Sequence, residues 1–239
     1  MKDWDIQINY GVKTGFNDAF IIDGQKRKKL IEQDPKSAEI IRPILRGRDI
    51  KRYSYEFADL WLINMHNGIK EKGIKPININ DYPAIKKHLD KYYPELEKRQ
   101  DKGDTPYNLR NCAYIEDFSK QKIVWTPVNN EYRFALVDAG YFFNNSIFMI
   151  TSNGNENLKI ILSVMNSILF IFYLNIITSE EYQYGSKDLF QTFPIPNPDK
   201  KFEQQIENLL QKQKYSEIDE IIYNLYGLTK EEIQFIENQ

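Results

Sequence analysis

The sequence predicts an α+β fold: a mixed or antiparallel sheet domain with a long buried helix and a C-terminal helical tail. Three observations carry this. LWLI at 60–63 and KIVW at 122–125 are apolar runs of strand length bounded by polar or turn-forming residues. Residues 157–177 are the most apolar stretch of the chain. Residues 199–239 place Phe202, Ile206, Leu209 and Leu210 at the spacing of one helix face.

Taken in order, residues 4–15 read as a strand running into a turn, with Gly11 and Gly15 bracketing Val-Lys-Thr. GVKTG lacks the second glycine that a phosphate-binding loop sets directly before its lysine, because Val12 stands there, so no nucleotide site is expected. Ala19, Phe20, Ile21 and Ile22 suggest a buried strand within 16–23, and 26–36 a charged helix or turn. IIRPILRGRDIKRY at 40–53 spaces Ile41, Ile44, Leu45 and Ile50 among five basic residues, while Pro43 and Gly47 rule out one unbroken helix. Residues 82–100 are helical by pattern, with Ile85, Leu89, Tyr92, Tyr93 and Leu96 on one face and a break or bend at Pro94.

DKGDTPYNLR at 101–110 reads as a loop. Beyond KIVW, residues 131–138 and 141–151 look like two strands joined by Ala139-Gly140. Residues 157–177 have the length of a membrane span, but Ser163, Asn166, Ser167 and Asn175 interrupt them and no basic flank follows. The expectation is a core helix with Ile161, Leu162, Met165, Leu169 and Phe172 inside, and no membrane partner. Residues 179–187 are a polar and aromatic loop, and FPIPNP at 193–198 an extended segment. In the tail, Ser216 with Asp219 and Thr229 with Glu232 resemble capping-box helix starts, with Gly227 as the stop between them. The division is therefore 1–198 for the main domain and 199–239 for a helical tail packing on it.

Composition narrows the chemistry. The net charge is −2, yet residues 1–130 carry 24 Lys and Arg against 19 Asp and Glu, and residues 131–239 carry 8 against 15. One face can be cationic in a nearly neutral chain. The single Cys112 excludes an internal disulfide, and with only two histidines a structural zinc site is not expected. Residues 1–10 are charged and mixed, unlike a secretory signal, which fits a cytoplasmic setting. His66 and His88 have no nucleophile beside them in pattern, and no G-x-S-x-G or glycine-rich dinucleotide turn occurs. Asp199, Lys200, Lys201 and Glu203 only weakly approximate a metal-nuclease cluster and read as surface residues. No catalytic residue and no metal ligand is expected.

A binding surface remains. Lys13, Arg46, Arg48, Lys51 and Arg52 lie in the first third, and Arg99, Lys102, Tyr107, Asn108 and Arg110 in the middle. Asn144 and Asn145 follow a strand, and Tyr182, Tyr184 and Lys187 sit in a loop. Basic, amide and aromatic side chains together suit double-stranded DNA: phosphate contacts supply affinity, and Arg, Asn or Gln contacts to base edges supply choice.

Several stretches, in order, resemble a known family: YGVKTGFNDAFIID at 10–23, IIRPILRGRDIKRY at 40–53, LWLI, and YPAIKKHLDKYYPELEKRQDKG at 82–103. They continue with KIVW, MNS at 165–167, FPIP at 193–196 and IDEIIYNLYGLTKEEI at 218–233. The chain resembles the TaqI-like C-terminal specificity domain, the target-recognition part of adenine-specific DNA methyltransferases in type II, fused (type IIG) restriction-modification enzymes. The resemblance implies a methyltransferase half of the same polypeptide, and in some members an endonuclease domain. That half would hold S-adenosylmethionine and an Asn-Pro-Pro-aromatic motif, and would receive a flipped adenine. Neither DYPA at 81–84 nor FPIP is that motif, so no cofactor is expected in this chain. The family's similarity over 40–53 across different targets implies phosphate contacts for Arg48, Lys51 and Arg52. Base readers are then expected within 105–111 and 179–187. A stand-alone metal-dependent nuclease and a protein-interaction module are the competing readings.

Overall fold

The structure is a computed structural model that describes all residues except 2–3, 127–131, 155–156, 181–189, 191 and 239, and only the backbone of 178–180. Two four-stranded sheets form its frame. The first is antiparallel throughout, in the order β1 (Ile6–Tyr10), β8 (Phe148–Ser152), β5 (Lys122–Trp125), β6 (Phe134–Val137). The second runs β2 (Ile21–Asp23), β4 (Leu60–Ile63), β3 (Ile41–Leu45), β7 (Phe142–Phe143), with β3 and β7 parallel and the other pairs antiparallel.

The first sheet separates two apolar cores. Side chains alternate across a strand, so neighbouring residues serve opposite faces. Ile123 and Trp125 of β5 join Ile8, Phe134 and Ile150 in one cluster. Val124, between them, joins Ala135, Val137 and Met149 in the other, against the second sheet. That second-sheet core is closed by α1 (Asn17–Phe20), α2 (Gly24–Gln33), α3 (Pro83–Leu89) and α4 (Tyr93–Lys98), through Phe20, Leu30, Ile85, Leu89 and Leu96. The α+β class with a mixed and antiparallel sheet content is thus the observed one.

Three local readings change. Residues 16–23 are not one strand: a helical turn, α1, precedes the three residues of β2. Residues 141–151 split into β7 and β8, which belong to different sheets, and the turn at Gly140 (φ 88°) carries the chain from one sheet to the other. The long helix expected over 157–177 is two helices, α5 (Leu158–Met165) and α6 (Ile168–Glu180), bent by 62° at the break.

The bend has a chemical cause in Asn166 and Ser167. The Asn166 amide donates to the carbonyls of Phe134 (2.9 Å) and Leu162 (3.2 Å) and accepts from the Phe134 N–H (3.3 Å), pairing with the start of β6 as a strand would. Ser167 Oγ accepts the Phe170 N–H at 3.2 Å and so caps α6. Ile161, Leu162 and Met165 are buried as expected, but Leu169 and Phe172 are only partly covered, because the bend swings α6 along the flank with Ile168 and Ile176 exposed. Among the described residues no single helix is long and apolar enough to cross a membrane; only the bent pair has the length and composition.

The tail forms α7 (Lys200–Gln211), α8 (Tyr215–Leu225) and α9 (Lys230–Glu237), and sends Ile206, Ile218 and Ile222 into the core on the outer face of the first sheet. Asp199 caps α7 through the Phe202 N–H (2.8 Å), and Thr229 with Glu232 forms the capping box read from the sequence. Ser216 and Asp219 do not: α8 begins at Tyr215, and Asp219 instead accepts the N–H of Ile168 at 2.9 Å, capping α6 from outside.

Candidate nucleic-acid interface

Strand direction gathers the basic segment with the asparagine pair. Because β3 and β7 are parallel, with Leu45 beside Phe143, both leave the sheet at the same end and deliver Arg46 and Asn144 there. Val12 bridges to Asn144, and the Gly11 N–H donates to Ile147 O at 2.9 Å. A Cβ on Gly11 would stand 2.1 Å from Asn144 O, so only glycine permits this approach. Gly47 lies over Thr126, at the end of β5, and the Tyr53 N–H donates to Phe134 O (2.8 Å), at the start of β6. Loops 11–13, 46–53 and 144–147, with Thr126, therefore form one rim.

The four cations at 46–52 have different tasks. Arg46 is committed to its own turn: Nε and Nη2 reach the two oxygens of Asp49 at 3.0 and 2.8 Å, and its backbone N–H meets the same carboxylate at 2.8 Å. Burial acts to raise the Asp49 carboxyl, yet the Arg46 hydrogen bonds hold it below the usual range. Arg48 is exposed and makes no hydrogen bond or ion pair among the described residues. Lys51 Nζ is 3.8 Å from Glu56. Arg52 donates to Asn166 O at 2.7 Å and lies 3.5 Å from Asp219 and over the Tyr53 ring, which stacks on Tyr215 at 4.2 Å.

The middle group joins the rim only at one corner. Lys13 and Arg110 each approach an oxygen of Asp101 at 3.0 Å, and both are exposed. Lys102 donates to Glu97 O (2.5 Å), and Tyr107 to Asp90 (2.5 Å). Arg99 and Asn108 are structural, contrary to the sequence reading. The Arg99 guanidinium is buried over Phe20 and donates to the carbonyls of Thr14, Pro106 and Asn108. Burial pushes its pKa down to about 10. Asn108, 2% exposed, donates to Ile77 O at 2.9 Å and accepts from the Thr105 hydroxyl at 2.6 Å. Both staple the 101–110 loop rather than face outward.

Asn145 is exposed on the rim, and Asn144 Oδ1 accepts from Ser146 Oγ at 2.6 Å. Tyr182, Tyr184 and Lys187, and most of the expected reading stretch 179–187, lie outside the described residues. His88 is buried with Nε2 3.0 Å from Ala19 O, and burial lowers the pKa of both histidines. Among the described residues no three His, Cys, Asp or Glu side chains gather where they could hold a metal ion. Thr126 is a rim residue that the sequence reading passed over; its place directly after KIVW, at the end of a core strand, is the signal that marks it.

Residues 42–195 match the TaqI-like C-terminal specificity domain family. The fold is similar to that of the type IIL restriction-modification enzyme MmeI in complex with DNA (TM-score 0.66, 13% identity, 98% of this chain and 36% of that one). It is also similar to the type IIG restriction endonuclease BpuSI (TM-score 0.52, 15% identity, 87% of this chain and 25% of that one). This chain thus spans about a third or less of either structure. The family match extends over well more than half of the sequence, and the chain belongs to the TaqI-like C-terminal specificity domain family.

Proposed function

We propose that this chain reads DNA sequence for a restriction-modification enzyme, gripping double-stranded DNA at the rim where β3, β5 and β7 end. The observation that carries the proposal is the convergence of that rim: Arg48 and Lys51 stand beside Asn144–Asn145 and Lys13 at one end of both sheets. The unpartnered guanidinium of Arg48 and the loosely paired Lys51 suit phosphate contact. Arg52 adds to it while serving as a clamp. Asn145 and Asn144 offer amides that suit base edges, with Arg110 beside Lys13 at Asp101 on one corner of the same surface.

The family membership and the likeness to MmeI and BpuSI support a longer polypeptide. In this reading, residues 1–198 choose the site, and residues 199–239 brace them through the shared core. A methyltransferase half holds S-adenosylmethionine and modifies an adenine next to the bases read here, an endonuclease domain cuts, and the whole acts in the cytoplasm. The experiment is selection from a randomised duplex pool, with retained DNA sequenced over successive rounds. A single enriched motif containing adenine supports the proposal. A pool that stays random while the protein is folded contradicts it.

A further inference from the structure

Lys51 and Arg52 stand on a hairpin whose turn the local sequence does not favour. Ile50 and Tyr55 bridge antiparallel, the Lys51 N–H donates to Ser54 O at 2.8 Å, and the Ser54 N–H donates to Lys51 O at 3.4 Å. Arg52 and Tyr53 are thus the two residues of a tight turn. Tyr53 stands at φ 65°, in the left-handed region. Glycine and asparagine are the residues that take a positive φ at the second position of such a turn. A bulky aromatic residue there is strained and persists only where its surroundings over-determine it.

Those surroundings come largely from the tail. The Tyr53 ring stacks on the Tyr215 ring with centroids 4.2 Å apart and planes within 2° of parallel. Tyr215 opens α8, and Asp219 follows it by four residues, one helical turn on and on the same face. Asp219 approaches the Arg52 guanidinium at 3.5 Å. Neighbouring side chains of one distant helix therefore hold both residues of the turn, while Phe134 O fixes the Tyr53 N–H at 2.8 Å. The turn that carries Arg48 is different: it is closed within the segment, by Arg46 on Asp49.

We propose that Tyr215 is a positioning residue for DNA binding. Its ring holds Tyr53 in the left-handed turn and so fixes the direction in which Lys51 leaves the hairpin toward a backbone phosphate. This rests on the grip of DNA by the rim proposed above. Tyr215 acts through Tyr53 and makes no DNA contact of its own, so the tail sets the geometry of the grip as well as bracing the core.

The test is a double-mutant cycle in duplex affinity, read by fluorescence anisotropy at several salt concentrations. Lys51→Ala should weaken binding and lower the salt slope by about one. Tyr215→Ala should do the same, and Tyr215→Phe, which keeps the ring, should bind as wild type. In the Tyr215→Ala background, Lys51→Ala should cost about threefold less affinity, or better, than in wild type, a coupling that lost stability alone does not produce. Arg48→Ala should cost the same in both backgrounds. Additive effects of Tyr215→Ala and Lys51→Ala overturn the proposal, as does wild-type binding by Tyr215→Ala. Equal coupling to Arg48 would show a general loosening of the rim and also overturn it. Should Tyr215→Ala not fold, Tyr53→Gly decides: glycine keeps the turn and loses the ring, so wild-type affinity in that variant overturns the proposal. Lys51→Ala without effect in the wild-type background would contradict the grip itself, and this inference falls with it.

Discussion

Arg52 and Asp219 lie 167 residues apart in sequence and 3.5 Å apart in space, and the same arginine nitrogen donates to Asn166 O at 2.7 Å. Asp219 also caps α6 through Ile168, so one buried carboxylate joins the basic segment, the α5–α6 break and the tail. Arg52 is therefore a structural clamp as well as a surface cation. Replacement by Ala should lower stability by about 1–3 kcal/mol, since it removes the partner of a buried charge and of a carbonyl. Arg48→Ala, which breaks no such contact, should leave urea unfolding within about 0.5 kcal/mol of wild type. Equal midpoints for the two variants would show that the Arg52 contacts do not matter to folding.

Asp101 restrains two cations at once, Lys13 and Arg110. The Lys13 hydrogen bond comes first among the influences that hold its carboxyl below the usual range, against the opposing effect of burial. Asp101→Asn removes a negative charge from the edge of the rim and releases both cations. Binding to duplexes of any sequence should tighten, and the salt dependence should steepen by roughly one to two counterions. Weaker binding at low salt would place Lys13 and Arg110 away from DNA.

Lys122 is fully buried in β5, with Nζ donating to the carbonyls of Phe118 (2.9 Å), Asp138 (3.3 Å) and Tyr141 (3.4 Å). Burial lowers its pKa from 10.5 to about 8, while Asp138 and Asp117 oppose the shift. Below about 8 the lysine is charged in both states and the folded state carries the desolvation cost. Between about 8 and 10.5 the unfolded chain binds the proton that the folded chain has lost, so stability rises with pH. Unfolding at pH 7.5 and pH 10 should show a gain for wild type over Lys122→Met of roughly 1–3 kcal/mol. A pH dependence identical in the two proteins would mean that the buried lysine is not shifted.

The run Ile123–Trp125 was legible because both faces of β5 are covered, Val124 in one core and Ile123 and Trp125 in the other, which leaves an apolar signature without alternation. The β3 strand was hidden by Arg42 and Pro43, residues that read as surface and breaker. Asn166 and Ser167 were visible as interruptions of an apolar helix, but the partners that hold the break, Phe134 on Asn166 and Asp219 on the Ile168 N–H, come from distant parts of the chain. The candidate site divides the same way. The exposure of Arg48 follows from a charge-rich segment beside a glycine. The burial of Arg99 does not, because one of the carbonyls that consume it belongs to Thr14, 85 residues earlier. Arg46 is taken up locally by Asp49, but Arg52 and Arg99 are taken up by partners distant in sequence, which no local pattern reveals.

In the proposed complex, the rim where β3 and β7 end grips DNA through Arg48 and Lys51. The measurement is fluorescence anisotropy of a labelled duplex carrying the selected motif, and of a scrambled duplex, titrated at several salt concentrations with wild type, Arg48→Ala, Lys51→Ala and the double variant. The account predicts that each single change weakens binding to both duplexes by the same factor and lowers the salt slope by about one, and the double change by about two. Wild-type affinity and slope in the double variant, on both duplexes, would contradict it.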